Sequence, residues 1–504
     1  MTHPLQSARS VSPSRRRFHV AALLLGILAS GCGDPADPVA SVSIANSVTQ
    51  PMERTLTTSL VATTRDASNN VLTGRVVTWS SSAPAIASVD AATGVVTALD
   101  RGKATITATS ESKTATTEIE VIILYRSITA GAGFSCDLGS TGIATCWGTN
   151  GGQDGRLGNG ALDNASLADS PIQVNVLGTQ RFTAITSGER HSCGLTAAGA
   201  AYCWGSNGDG QLGAPSIPSW AHQPVAVAGN LVFTQISAGD AHTCALTAAG
   251  AAYCWGDNGV GQLGNGTQTD ATSPVAVSGG IVFTQISAGT STGGTSKTCG
   301  VATDGRAYCW GSDTNGELGD GGTISYLTSD FKNTPTQVSG PTNFKSIAVG
   351  TSHVCGVLTT GAGYCWGDNG SGKLGIDSDA TGVSSPTALV TSQSFLQIEA
   401  GYQHSCGVTT TFALYCWGAN ANGESGSASM VGQISKVPAV AAPGEWIEVN
   451  LGGAAAHTCG ILRTRLSVRC MGRNDVGQLG NNTTTASTAA NETPVLVTKQ
   501  QPLP

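Results

Sequence analysis

Charge is what this chain has least of. Only 11% of its 504 residues are Asp, Glu, Lys or Arg, against about 25% in ordinary globular proteins. Aromatic residues make up 5% and methionine occurs four times. The first 31 residues hold four arginines and no acid, which leaves 21 basic and 32 acidic residues, a formal charge of −11, for the rest. Phosphate backbones are held by clustered Lys and Arg, so an acidic chain without a basic run is expected to bind no nucleic acid. Helical patterns of Leu, Glu, Lys and Ala are missing beyond the N-terminus. The apolar run at residues 20–28 is too short to span a bilayer as a mature helix. Low charge does not mean disorder here, because 40% of the residues are hydrophobic. Glycine is what abounds, at 67 residues, about twice the usual share. Between the glycines run short, alternating, β-branched segments, the mark of an all-β protein with many tight turns.

"SRRRFHVAALLLGILASGC" ends at Cys32 and has the layout of an export signal: arginines, then an apolar stretch, then small residues. Ala29-Ser30-Gly31-Cys32 resembles a bacterial lipobox, with Ala29 where such boxes prefer Leu. Ser14-Arg15-Arg16-Arg17-Phe18 resembles the twin-arginine motif, so export runs by that route or by general secretion. These resemblances imply a signal peptide over 1–31, lipidation (palmitate) of Cys32, a linker over 32–38, and a membrane-anchored lipoprotein of the bacterial cell envelope facing periplasm or exterior.

Residues 39–123 alternate in the manner of a β-sandwich, with turns at "DASNN" and "AATG". "VVTWSSSAPAIASVDAATGVVTALDRGKATITATS" (76–110) resembles the bacterial immunoglobulin-like group 2 domain, which implies a spacer or adhesive module with Trp79 in its core.

From residue 124 the chain repeats itself, which governs everything read after it. Cysteines come in pairs: Cys136 and Cys146, Cys193 and Cys203, Cys244 and Cys254, Cys299 and Cys309, Cys355 and Cys365, Cys406 and Cys416, Cys459 and Cys470. A three-residue hairpin loop at Ala197-Ala198-Gly199, with glycine in the left-handed position, sets Cys193 opposite Cys203. Opposed residues on neighbouring strands lie close enough for a disulfide. Zinc would gather four ligands, and these cysteines come in isolated twos. The seven pairs leave only Cys32 over. Phe412 stands where the other loops have glycine, and the last pair is one residue wider, so those two hairpins are expected to be the least regular.

"WGSNGDGQLG" (204–213), "WGDNGVGQLGNG" (255–266) and "WGDNGSGKLG" (366–375) resemble the repeat of the regulator of chromosome condensation propeller family. The resemblance covers 124–504 and implies a seven-bladed β-propeller. A Pro-led strand such as "SPVAVSG" (273–279) precedes each hairpin strand except the first. "TPVLVTKQ" (493–500) is left over at the far end, so the C-terminal strand is expected to complete blade one.

His191, His242, His353, His404 and His457 recur before the hairpin cysteine. A residue recurring at one place in a repeat is expected to fix that repeat's backbone rather than to hold a metal. Tyr202, Tyr253, Tyr308, Tyr364 and Tyr415 are expected to pack between blades. No nucleophile elbow, phosphate loop or paired metal motif is present. No catalytic residue, cofactor or metal is therefore assigned, and an enzyme is left as a lesser reading.

The expected function is an exported, lipid-anchored binding or adhesion protein, acting as a monomer, with a propeller recognition surface for a protein or glycan. One alternative is an inhibitor or partner of a specific exported protein, since some bacterial relatives of this propeller block β-lactamases. The other is a propeller enzyme acting on polysaccharide or peptide. Insertions in a repeat array map to loops, which carry recognition; here they fall at 159–169, 290–297, 319–334 and 376–385. Tyr326 and Phe331 in the third are the expected contact residues.

Overall fold

A computed structural model describes residues 37–45, 51–152, 154–160, 169–291, 294–325, 330–426, 434–453, 456–464, 466–484 and 495–497. Cys32 and Tyr326 lie outside the described residues. The chain divides into two units, one of Met1–Gln50, Thr57–Thr97 and Lys103–Ile119, the other of Pro51–Leu56, Ala98–Gly102 and Glu120–Pro504.

In the first unit, Ser41–Ala45 pairs antiparallel with Val61–Arg65, and Thr78–Ser81 with Gly102–Ser110. Burial alternates along Gly102–Ser110, with Ala104, Ile106 and Ala108 inside and fully covered. Trp79 is buried, and the turn at Gly94, with φ +71°, lies so close that an added Cβ would be 2.7 Å from the indole.

The second unit is built from seven successive four-stranded antiparallel sheets. In repeat two the strands are Phe182–Ser187, His191–Thr196, Ala201–Ser206 and Trp220–Ala226, adjacent in chain order. The first strands of consecutive sheets pack on one another and form the inner layer. The hairpin register is the one expected: Cys193 faces Cys203, Gly194 faces Tyr202 and Leu195 faces Ala201. All seven cysteine pairs are disulfide-bonded, with Cα atoms 4.0 or 4.1 Å apart. Each link closes a short loop worth about 3 kcal/mol in the chain-entropy account.

The C-terminal strand does not complete the first sheet. Val495–Leu496 pairs with Val468–Gly472 of repeat seven, and the first sheet takes its fourth strand, Ser170–Asn175, from its own repeat. Each Pro-led strand follows its own hairpin and joins it locally, so no strand is left to exchange. The ring closes instead through contacts of the kind that join other consecutive repeats. Glu448 Oε1 accepts from Ile128 N at 3.1 Å, and Asn450 Oδ1 from Ala130 N at 2.7 Å. Gln235 and Ser237 do the same for Ile286 N and Ala288 N. Trp147 of repeat one packs with Ile461, Val468 and Leu479 of repeat seven, as Trp255 packs with Leu195, Leu212 and Ala221 of repeat two.

Each outer strand pairs on one side only within its sheet. Six of them carry a proline: Pro171, Pro224, Pro274, Pro335, Pro386 and Pro438. Proline removes a donor from an exposed edge and discourages pairing with another chain.

The sixth hairpin is as regular as the others, contrary to expectation. Cys406 faces Cys416, because Phe412 itself adopts φ 65° in the place glycine fills elsewhere.

Candidate functional site

The recurring polar residues belong to the scaffold, by a mechanism more specific than backbone support within one repeat. Each histidine reaches into the following repeat. His191 Nε2 lies 2.8 Å from Thr243 Oγ1, His242 2.9 Å from Thr298 Oγ1, and His353 2.7 Å from Ser405 Oγ. His404 meets Thr458 and His457 meets Ser135, both at 2.8 Å. Thr243 donates its hydroxyl hydrogen to Gln211 O, so its oxygen accepts from His191 Nε2–H. The same carbonyl accepts Trp255 Nε1–H at 2.9 Å. The carbonyls of Gln211, Gln262 and Gln478 thus each anchor both the hydroxyl and the indole of the next repeat.

Burial holds these imidazoles neutral. Taken out of water, His191 and His404 are pushed down to about 3 and His242 to about 4, and His353 is well below its ordinary value. A neutral, fully covered imidazole committed to a hydroxyl is a structural clasp. Among the described residues no group of three or more His, Cys, Asp or Glu gathers in a way that could hold a metal. Tyr202, Tyr253, Tyr308 and Tyr415 rest on the phenylalanines of their own repeats, as Tyr202 does on Phe182 at 6.4 Å between ring centroids, and the tyrosines line the clusters between repeats.

What varies gathers at one end of the ring. Each inner strand ends in a glycine at the axis. A methyl added at Gly239 would lie 2.6 Å from Gly289 O, and one at Gly452 would lie 3.0 Å from Gly131 O. The inner strands approach too closely there for any side chain. The next residue in each turn is Ala132, Glu189, Asp240, Thr290, Thr351, Tyr402 or Gly453, six residue types at seven places around one axis. The same end carries the long loops between third and outer strands, such as residues 207–219 and 257–270, because both connections follow strands running the same way.

At the centre of this loop face, Glu189 and Asp240 share a hydrogen bond. Burial and Asp240 together push the Glu189 carboxyl up to about 8, so the pair holds a proton at neutral pH. Ser291 Oγ donates to Asp240. Thr290 and Thr351 meet through their hydroxyls at 3.1 Å. Arg190 stands 3.9 Å from Glu189 with 57% of its side chain exposed. On the rim, Trp220 is 44% exposed and opens the outer strand of repeat two. Phe331 occupies the matching place in repeat four, opposite Ser312 as Trp220 is opposite Ser206, and is half-buried. Trp220 was missed in the sequence because it stands outside the Cys-Trp-Gly phrase; "PSWAH" was its only signal. The opposite end offers a cleft between repeats three and four, lined by Thr234, Gln235, Thr247, Thr284 and Thr303, with no titratable side chain.

Several known proteins resemble this chain. The ultraviolet-B receptor UVR8 of Arabidopsis thaliana is 28% identical over 314 residues, 60% of this chain and 66% of that protein. The E3 ubiquitin-protein ligase HERC2 of Homo sapiens is 27% identical over 283 residues, which span only 6% of its length. Among solved structures, Prp20p from Saccharomyces cerevisiae, described with its binding to Gsp1p and histones, superposes with a TM-score of 0.55 at 20% identity over 65% of this chain and 80% of its own. Yeast RCC1 (Prp20), solved with Kap60, gives 0.60 at 18% identity, covering 70% and 83%. At such identities the structures establish the fold. The profile of the regulator of chromosome condensation (RCC1) repeat matches residues 395–424, and that of the RCC1-like domain matches residues 72–407. With more than half of its length matched, the chain belongs to the RCC1-like domain family.

Proposed function

We propose that the chain is an exported protein, anchored by a lipid on Cys32, that binds a protein partner through the loop face of a seven-bladed propeller. In this reading residues 39–123 are an immunoglobulin-like spacer, and the propeller acts as a monomer. One observation carries it. The residues that recur are consumed in holding the repeats together, whereas the turn residues, of six types at seven places, and the long loops vary and converge on one end. A rigid scaffold presenting variable loops is the usual arrangement of a recognition surface. Trp220 and Arg190 are of the types enriched where proteins meet. Prp20p, of like fold, binds Gsp1p and histones, which favours a protein over a glycan as the class of partner. An inhibitor of one exported protein is the narrow form of the same reading.

The test is capture from the producer's envelope with the mature chain. One stoichiometric protein is expected. Trp220→Ala combined with Tyr402→Ala should abolish its capture while leaving the melting temperature within a few degrees of the parent. Retention of a glycan alone would replace this reading with carbohydrate adhesion. Cys32→Ser should release the protein from the membrane fraction; a parent chain already found in the soluble fraction would remove the anchor.

A further inference from the structure

The seven disulfides are out of reach in the closed ring, and each is put out of reach by the repeat that follows it. None of their fourteen cysteines is more than 2% exposed. Cys193 and Cys203 of repeat two pack in one cluster with Phe233, Ile236 and Trp255 of repeat three. The pairs of the other repeats are covered in the same way. For the last pair, the repeat that follows is the first. Cys459 and Cys470 are covered by Tyr125, Ile128 and Trp147, and Ser135 Oγ stands 3.5 Å from Cys459 Sγ.

This last cover differs from the other six in how it is held. Six junctions are crossed by the chain itself, through connections of five or six residues such as 176–181 and 441–445. Repeats one and seven stand at opposite ends of the array. Among the described residues no strand crosses between them, since Val495–Leu496 stays in the sheet of repeat seven. The contacts at this seam are of the same kinds as elsewhere, among them Asn450 on Ala130 N and His457 on Ser135; what the seam lacks is the tether. A short tether keeps two faces at high effective concentration, so a tethered junction that parts is driven to reclose. An untethered junction in a repeat array opens at the cost of its own interface.

We propose that the ring opens at this seam, and that Cys459–Cys470 is therefore its redox-sensitive bond, reached by small dithiols while the six other disulfides stay covered. The reaction is thiol–disulfide exchange. One thiolate of the reagent attacks a sulfur of the pair, forming a mixed disulfide and releasing the other cysteine as a thiolate. The second thiolate of the reagent then attacks the reagent's own sulfur in the mixed disulfide, which closes the reagent into a cyclic disulfide and frees the second cysteine. Two electrons pass from reagent to protein, and the reagent's two thiol protons end on Cys459 and Cys470. Loss of the bond unlinks the hairpin on which Tyr125 and Trp147 rest, so reduction favours the open ring. The inference does not depend on what the loop face binds.

The folded full chain is incubated with dithiothreitol at neutral pH, alkylated with iodoacetamide at intervals and mapped by mass spectrometry. Cys459 and Cys470 should be alkylated together, at least about tenfold sooner than any other pair. Reduction of all seven pairs at one rate would overturn the proposal, because thiols would then enter by global unfolding. A different pair leading would overturn it as well. Asn450→Ala removes a bond across the seam without touching the cysteines or their hairpin. It should speed the loss of Cys459–Cys470 about fivefold, the worth of one hydrogen bond, and leave the other six pairs as they were. Trp147→Phe, which drops the indole bond to Gln478 O across the seam, serves if that variant folds poorly. Ser287→Ala removes the matching bond to Val349 N at the tethered junction of repeats four and five and should leave Cys299–Cys309 as slow as in the parent. If the seam variants leave Cys459–Cys470 unchanged, its lability is local to the hairpin and the proposal fails. It fails equally if Ser287→Ala exposes Cys299–Cys309 to the same degree.

Discussion

The junction between repeats three and four and the next one, between four and five, satisfy one geometric need with different chemistry. At the first, His242 meets the hydroxyl of Thr298, and Thr298 donates to Gln262 O. At the second, the hydroxyl position holds Val354, which is fully buried, and a histidine there would have no partner. The chain puts Lys297 in its place. The ammonium passes the valine and donates to Thr351 O at 2.6 Å, with Glu317 Oε1 at 3.4 Å, and both charged side chains are fully covered. Three positions have changed together: His to Lys, Thr to Val, and Gln262 to Glu317. A buried polar group is retained only with its partner, so none of the three could have changed alone without cost. Repeat one solves the matter differently again. Phe134 replaces histidine, and Ser192 turns to Ser187 Oγ at 3.0 Å.

Acid should break the two kinds of junction apart, with the largest effect expected anywhere in the molecule. His191, His242, His353 and His404 are neutral when folded and accept protons near 6.5 when unfolded. Below 6.5 the unfolded chain therefore binds more protons, and stability falls by up to about 1.4 kcal/mol per pH unit for each histidine. Glu189, Asp313 and Glu399 act in the opposite sense. They are raised to about 8, 7 and 7, so they offset the histidines until their unfolded counterparts also protonate near 4.5. A shallow loss between pH 6.5 and 4.5, followed by a steeper one of about 3 kcal/mol per pH unit until the folded imidazoles themselves protonate near 4 and 3, is expected in denaturant titrations. His242→Gln should remove most of the shallow loss between pH 6.5 and 4.5, because its own imidazole protonates in the fold only near 4. A uniform slope across both ranges would mean that the imidazoles are not held neutral.

The lysine junction is tested by transplanting its neighbour's chemistry. Lys297→Met leaves Glu317 buried without its cation and should cost about 3–5 kcal/mol. The triple replacement Lys297→His, Val354→Thr and Glu317→Gln rebuilds the arrangement of the preceding junction and should return to within about 1 kcal/mol of the parent. The measurement is the denaturant midpoint of each variant. If Lys297→Met alone is as stable as the parent, the ammonium does not hold the junction, and the three changes are unrelated.

The sequence made the local relations legible and left the distant ones hidden. Cysteine spacing and the loop glycines set the hairpin register, because opposed residues in a tight hairpin are a matter of counting. The seven repeats were visible for the same reason. The Pro-led strands went to the wrong sheets, since each lies next in sequence to the inner strand of the following repeat and only pairing decides which it joins. Histidine looked like support for its own repeat because its partner stands 52 to 56 residues on, a distance that periodicity disguises as another copy of the same motif. The axial residues Glu189, Asp240 and Tyr402 carried a signal that went unused. They are the variable place in an otherwise repeated phrase.

The smallest expected effect separates backbone strain from side-chain packing, at a hairpin whose left-handed place is not held by glycine. Phe412 holds φ 65°, a conformation that costs a residue with a Cβ roughly 1 kcal/mol or more. It is retained with Arg463 stacked 4.6 Å from the ring centroid, a contact worth about 0.5–1 kcal/mol at an open site. Phe412→Ala removes the ring and keeps the strain, so it should lose about 1 kcal/mol. Phe412→Gly removes both and also loosens the unfolded chain, which costs up to about 1 kcal/mol; the relieved strain offsets that cost, so it should be no less stable than the alanine variant. The two denaturant midpoints decide the point. If glycine falls below alanine by about 1 kcal/mol, the left-handed backbone carries no strain at this loop, and the register is held by the Cys406–Cys416 bond and the strand pairing alone.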